Sequence, residues 1–263
     1  MSEFPHPAIS IITVNYNNRP GLEKTIESTA SQTFVSKEHI IIDAASTDGS
    51  VELIKSHAEK FAHWVSEKDR GVFDGMNKGV ALASGTWVCF MNAGDTFYDD
   101  NVLEKLLTTP PASDVIYGDS LILYKDGYTR LQKGRPIDTI WQRMPFVHQS
   151  SIVKREHLVR HPFDLSYPLC ADFGFFYKLY QNGNTFEYRA ATLSKFRAGG
   201  MSDIKRVATA KEVWRSVKKY RNDWRVAFYF RKRILAARLN TLISPRLKSK
   251  LIRWKYGFKS LRK

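Results

Sequence analysis

The chain has 263 residues, of which 43% are apolar and 25% charged, and it contains only two cysteines. That length holds one large α/β domain or a domain with an appendage, and neither Cys89, in an apolar run, nor Cys170, before an acidic position, suggests a disulfide framework or a zinc site. The formal net charge of +15 is unevenly placed: between Lys205 and Lys263 there are 20 Lys and Arg against Glu212 and Asp223, leaving 21 against 24 acids in residues 1–204. A slightly acidic body with a basic C-terminal stretch points to an anionic surface, either membrane or nucleic acid. The first ten residues lack a basic start followed by an apolar core, so no secretory leader is expected. No run reaches the roughly 18 apolar residues of a spanning helix; residues 226–243 come nearest and are broken by Arg231-Lys232-Arg233. A reducing cytoplasm is the expected compartment.

In chain order, residues 8–14 (AISIITV) form a β-branched apolar run, as expected of a strand buried on both faces. A turn cluster from Asn15 to Gly21 follows, then helical spacing at Leu22, Ile26 and Thr29. Residues 39–42 read as a second strand ending at Asp43, and Ser46-Thr47-Asp48-Gly49-Ser50 opens a helix running through Val51, Ile54, Ala58 and Phe61. A third strand over 63–65 leads to Glu67-Lys68-Asp69, residues 77–83 are helical, and residues 87–91 make a fourth strand. Strands alternating with helices imply right-handed crossovers and a parallel sheet. After Pro110-Pro111, residues 115–117 and 121–124 read as strands around Gly118-Asp119, residues 130–145 as irregular and basic, and residues 172–182 as a helix.

Three strands of the first half end in acids: Asp43, Asp69 after a short loop, and Asp95 in the turn Asn92-Ala93-Gly94-Asp95. Strand ends of a parallel sheet share one edge, so these carboxylates are expected to converge on a metal or phosphate group. The competing reading is that each acid caps a helix or turn, with Ser46 and Asp48 divided evenly between the two.

The segments SIITVNYNN, IIDAASTDGS, SEKDRGVFDGMNKGVALASG and FMNAGD, continuing through HQSSIV, ADFGFFYKLYQNG and FRAGGMS, resemble in this order the family 2 glycosyltransferases of the A-type fold. They are most similar to bacterial exopolysaccharide enzymes of the colanic acid type, over about residues 8–202. The resemblance implies an α/β fold with a mostly parallel Rossmann-like sheet flanked by helices. It also implies a glycosyltransferase domain over 1–204, with a donor half to about 124 and an acceptor half over about 125–204, followed by a basic helical extension over 205–263.

The implied roles follow the motifs. Asp43 accepts from the nucleotide base, with Thr13 and Asn15 beside it; Asp69 lies at the base or ribose and Asp74 at the donor sugar. Asn77 bonds the sugar or caps its helix, and Lys78 reaches phosphate or is a solvated helix lysine. Asn92 to Asp95 stands where such enzymes carry an Asp-x-Asp motif, with Asn92 a donor contact and Asp95 the charged ligand of a Mn²⁺ or Mg²⁺ ion that neutralises the leaving diphosphate. His148 is an accessory ligand, an acceptor contact or a structural histidine. Asp172, at a helix start, is the general base that deprotonates the acceptor hydroxyl, giving transfer with inversion, or an ordinary N-cap before residues 173–179. Arg197 and Ser202 flank Gly199-Gly200 in a loop that closes on diphosphate or simply lies on the surface.

Leu247, Leu251, Trp254 and Phe258 recur on one helical face among lysines and arginines, the pattern of a helix lying in a membrane interface. Its alternative is that Trp214, Trp224, Phe228 and Phe230 pack on the body while the lysines are solvated. Together with the resemblance, this implies a nucleotide-diphosphate sugar donor, a polyprenyl-diphosphate-linked saccharide acceptor, and an enzyme peripheral on the inner face of the cytoplasmic membrane. No nucleic-acid partner is expected. Two rivals are a sugar nucleotidyltransferase, against which Asn15 to Gly21 lacks a Gly-rich basic loop, and a nucleic-acid-binding protein using the basic aromatic tail. A dehydrogenase or kinase is disfavoured by the absence of a G-x-G-x-x-G or P-loop motif.

Overall fold

A computed structural model describes residues 7–109 and 111–241. The expected helix over 247–258 lies outside the described residues. The first half is the anticipated alternation. Strands β1 (Ile9–Asn15), β2 (Lys37–Asp43), β3 (His63–Ser66) and β4 (Trp87–Phe90) pair in the order β3-β2-β1-β4, all parallel. Helices α1 (Arg19–Ala30), α2 (Ser50–Ser56) and α3 (Val72–Leu82) connect them. Helix α3 begins earlier than its apolar spacing suggested and lies close on β1: a Cβ on Gly79 would come within 2.4 Å of Ile12, and one on Gly75 within 2.8 Å of Val14. Only glycine permits that approach.

The second half departs from a parallel sheet. After the short β5 (Thr96–Phe97) and α4 (Val102–Leu107) come β6 (Val115–Leu123), β7 (Thr129–Gln132), β8 (Ser151–Lys154) and β9 (Phe186–Arg197). The two strands expected around Gly118-Asp119 are one strand, β6, whose pairing with β9 shifts register at that point. Strand β8 inserts antiparallel between β4 and β6, β9 runs parallel to β6, and β5 closes the edge antiparallel to β9. The sheet is therefore mixed, with parallel crossovers in its first half and antiparallel additions in its second. Helices flank it: α5 (Arg155–Arg160), α6 (Ala171–Gln181), the one-turn α7 (Met201–Ile204), α8 (Arg206–Lys218) and α9 (Trp224–Thr241).

The boundary expected at 204 does not separate a tail from the body. Val213 and Val217 of α8 and Val226 and Phe230 of α9 are buried in the same apolar core as Phe173, Phe176 and Tyr177 of α6. Trp214 stacks on Phe230 at 6.0 Å between ring centres. Trp224 and Phe228 remain exposed, so the packing alternative holds for half of the aromatics it named.

Candidate active site

The acids at the strand ends are built into the fold by different means. Asp43, fully buried beside its register partner Asn15, accepts hydrogen bonds from Asn15 Nδ2 (2.7 Å), the Ser46 hydroxyl (2.5 Å), the Ser46 amide (2.9 Å) and the Ser66 hydroxyl (2.7 Å). Four donors fill the carboxylate's acceptor sites. Asp43 thus ties together the loops after β1, β2 and β3, and a base could contact it only by displacing one of these donors. Asn15 Oδ1 is buried without a hydrogen-bond partner beside it. Thr13 is not brought to the cleft: it is buried within the sheet, its hydroxyl 2.9 Å from His39 Nε2.

On the next loop, Asp69 accepts from the Gly71 amide (2.9 Å), and Asp74 in the first turn of α3 accepts from Arg70 through its amide (3.0 Å) and its guanidinium (2.9 Å). The Arg70 contact holds the Asp74 carboxyl below the ordinary carboxylate range. Asn77 neither caps its helix nor stands free. Its amide donates to the Phe163 carbonyl (3.0 Å) and accepts from the Phe163 amide (2.9 Å), clamping α3 to the segment before α6. Lys78 bonds the Lys68 carbonyl (3.0 Å) and pairs with Glu67 (2.6 Å), so it braces this loop. Asp48 acts as a cap, accepting from the nearby Ser50 hydroxyl (2.6 Å) and, at the start of α1, from the Arg19 amide (2.8 Å).

The turn after β4 is shaped for its acid. Gly94 takes φ of 103°, a conformation costly for other residues. The Thr25 hydroxyl of α1 accepts from the Gly94 amide (3.0 Å) and donates to the Asp95 carbonyl (2.8 Å). The Asp95 side chain is buried, and burial pushes its carboxyl up to about 6 despite a 2.6 Å hydrogen bond from Gln149 Nε2, the nearby His148 and the Arg197 backbone amide. His148 and Gln149 belong to a single 3-10 turn, His148–Ser150, that feeds β8. Because β8 runs antiparallel to β4, its beginning lies at the edge where β4 ends. Below this turn the buried Ser150 hydroxyl bonds those of Ser120 and Ser194, each at 2.7 Å, and anchors it to β6 and β9.

His148 joins the two halves. Its Nδ1 lies 3.2 Å from Asp172 Oδ2, and its Nε2 lies 3.4 Å from Asn92 Nδ2. Asp172 sits in the first turn of α6, where its other oxygen accepts from the Phe173 amide (2.8 Å). Asn92, Asp95, His148, Gln149 and Asp172 therefore form one partly open cluster, although 80 residues separate the first from the last. Arg197 contributes its backbone amide there while its side chain is exposed, and Ser202 is exposed on α7. Gln149 and Thr25 were not singled out from the sequence; Gln149 follows His148 directly, but nothing local marks it as a partner of Asp95.

Among the described residues no group of three His, Cys, Asp or Glu converges as a metal cage. The cluster is nevertheless rich in unused acceptors: Asn92 Oδ1 and Gln149 Oε1 are both buried without a hydrogen-bond partner. Orphaned oxygens beside a buried carboxylate are an uncompensated cost that a cation would relieve. Carboxylate, carboxamide oxygens and one imidazole suit Mn²⁺, and the oxygens alone suit Mg²⁺.

A parallel half-sheet ending in acids, extended by antiparallel strands that carry the opposite wall, defines the A-type glycosyltransferase fold. The chain belongs to glycosyl transferase family 2, whose model matches residues 10–167. It is similar to a PGL/p-HBAD biosynthesis glycosyltransferase of Mycobacterium bovis (strain BCG / Pasteur 1173P2), 28% identical over 183 residues that make up 67% of this chain and 71% of the relative. It is also similar to an uncharacterized glycosyltransferase of Mycobacterium tuberculosis (strain CDC 1551 / Oshkosh), 38% identical over 100 residues; the match spans only 38% of that relative's length and 38% of this chain. In fold it is similar to the mannosyltransferase PcManGT from Pyrobaculum calidifontis in complex with GDP-Man and Mn²⁺, with a TM-score of 0.65 and 16% identity, over 95% of this chain and 80% of that one. The S. aureus TarS 1–349 complex with UDP gives a TM-score of 0.61 at 16% identity, over 84% and 68%.

Proposed function

We propose that this protein transfers a sugar, with inversion, from a nucleotide-diphosphate sugar to a hydroxyl of a saccharide acceptor in the synthesis of a bacterial surface polysaccharide. The observation that carries this reading is the His148 bridge, which sets the Asn92–Asp95 turn and Asp172 into one cleft. Asp172, held by His148 and the Phe173 amide, takes the proton of the acceptor hydroxyl as that oxygen bonds to the anomeric carbon and the bond to the diphosphate breaks. Asp95, with the free oxygens of Asn92 and Gln149, would hold a divalent cation, and His148 Nε2 could join them in place of its 3.4 Å contact with Asn92 Nδ2. When bound, the cation supplies positive charge against the leaving diphosphate. Asn15, Asp43, Asp69 and Asp74 would line the nucleotide and sugar end, Asp43 chiefly by holding the loops in place. Arg197 would reach the diphosphate from the end of β9.

The acceptor we infer is linked to a polyprenyl diphosphate, which places the enzyme on the inner face of the cytoplasmic membrane. The concentration of positive charge after residue 204 supports this. Calorimetric titration with UDP, GDP and dTDP, each with and without Mn²⁺, tests the donor half of the proposal. One nucleotide should bind with metal-enhanced affinity; no binding of any nucleotide in the presence of metal would overturn it.

A further inference from the structure

Helix α9 has two apolar faces. Val226 and Phe230 point inward and are completely buried against the body. Trp224, Phe228, Leu235 and Leu239 recur at i, i+4, i+11 and i+15, one side of a helix, and are exposed by 73%, 55%, 57% and 55%. A helix needs a single apolar face to pack on its domain; the second has no work to do within the described body. It is bordered by exposed Arg225, Arg231, Lys232 and Arg238, and α9 carries no acid. Arg225 lies over the Trp224 ring at 5.6 Å and Lys232 over Phe228 at 4.7 Å. Aromatic and leucine anchors rimmed by cations match an anionic lipid surface, with ring and methyl groups entering the acyl boundary and the basic ends staying among headgroups. None of the described helices is long and apolar enough to cross a membrane.

We propose that this outer face of α9 is a membrane-docking surface that lies flat on an anionic leaflet. The inner side of the same helix is tied to the body. Arg233 donates to the Gln142 carbonyl at 2.5 Å, and Tyr229 OH reaches the same oxygen at 3.4 Å. Residue 142 lies on the loop that leads to His148, so the docking helix is fastened on its inner side to the wall that carries His148. The proposal deepens the reading of a lipid-linked acceptor and rests on it for its purpose; vesicle binding and donor binding are measured separately, so one can fail without the other.

The test is co-sedimentation of the full chain with vesicles of phosphatidylglycerol and phosphatidylcholine, against vesicles of phosphatidylcholine alone. Wild type should prefer the anionic vesicles. The triple variant Trp224→Ser, Phe228→Ser, Leu235→Ser keeps every basic residue and should bind them about a hundred-fold more weakly or worse, with nucleotide binding unchanged. As a second measurement, brominated lipid should quench tryptophan emission in wild type and clearly less in Trp224→Phe. Wild-type vesicle affinity in the triple variant would overturn the proposal. So would loss of binding only on removing residues 242–263, or a dimer that the triple substitution splits without any vesicle binding by wild type.

Discussion

Asp95→Asn removes a charge that the fold buries at a cost. The carboxyl rises from 3.8 to about 6 because burial outweighs the Gln149 hydrogen bond, the nearby His148 and the Arg197 amide. A rise of that size corresponds to about 3 kcal/mol of preference for the neutral form. The group titrates higher in the folded than in the unfolded chain, so its penalty is absent below about pH 4, grows as pH rises through 6 and is complete above it. The new amide also offers an N–H to Gln149 Oε1, which is buried without a partner. In EDTA at pH 8, urea denaturation should therefore find the variant more stable than wild type by about 2–3 kcal/mol, and about half of that gain should remain at pH 5. Added Mn²⁺ should stabilise wild type by mass action and leave the variant nearly unchanged, and sugar transfer should be lost. A variant equal to or less stable than wild type in EDTA at pH 8 would refute the claim that Asp95 is held at a cost to folding.

Three further outcomes are expected. Asp172→Asn should keep nucleotide affinity while turnover falls by about 10²–10⁴; unchanged turnover would remove Asp172 as the base. His148→Ala should weaken Mn²⁺ binding about 10–100-fold, read by titrating metal into the nucleotide complex, and equal metal affinity would leave His148 a purely structural link. His39, buried and driven down to about 3, stays neutral in the fold but takes up a proton near pH 6.5 when unfolded. Stability should thus decline by up to about 1.4 kcal/mol per pH unit as pH falls from 6.5 toward 3. His39→Gln should flatten that contribution, and an identical slope in the variant would discount it.

Much of the first half was legible because each element announces itself locally. Residues 8–14 are apolar except for Ser10 and Thr13 since β1 is covered on both faces, and the Gly94 turn after residues 87–91 marks an abrupt strand end. The second half was not, because β8 and β9 have no local signature of where they pair. The β8 segment reads the same whether it lies at an edge or between β4 and β6. Asp43 shows the limit for single residues: its position at a strand end is visible in the sequence, whereas its four internal donors come from separate loops. Asn77 likewise reads from the sequence as a cap or a sugar contact, and only the fold shows Phe163 meeting both ends of its amide.

The sequence by itself determined the alternation of strands and helices, the acids at the strand ends, the family and the location of the excess positive charge. These are properties of neighbouring residues or of ordered motifs, and periodicity carries them. Only the tertiary structure decided that β8 enters antiparallel and delivers His148 and Gln149 to the end of β4. The same holds for the link from that turn to Asp172, and for the two apolar faces of α9, one buried and one exposed. Those relations depend on strand order and on which side of a helix meets the core, and both are set by contacts between residues far apart in the chain.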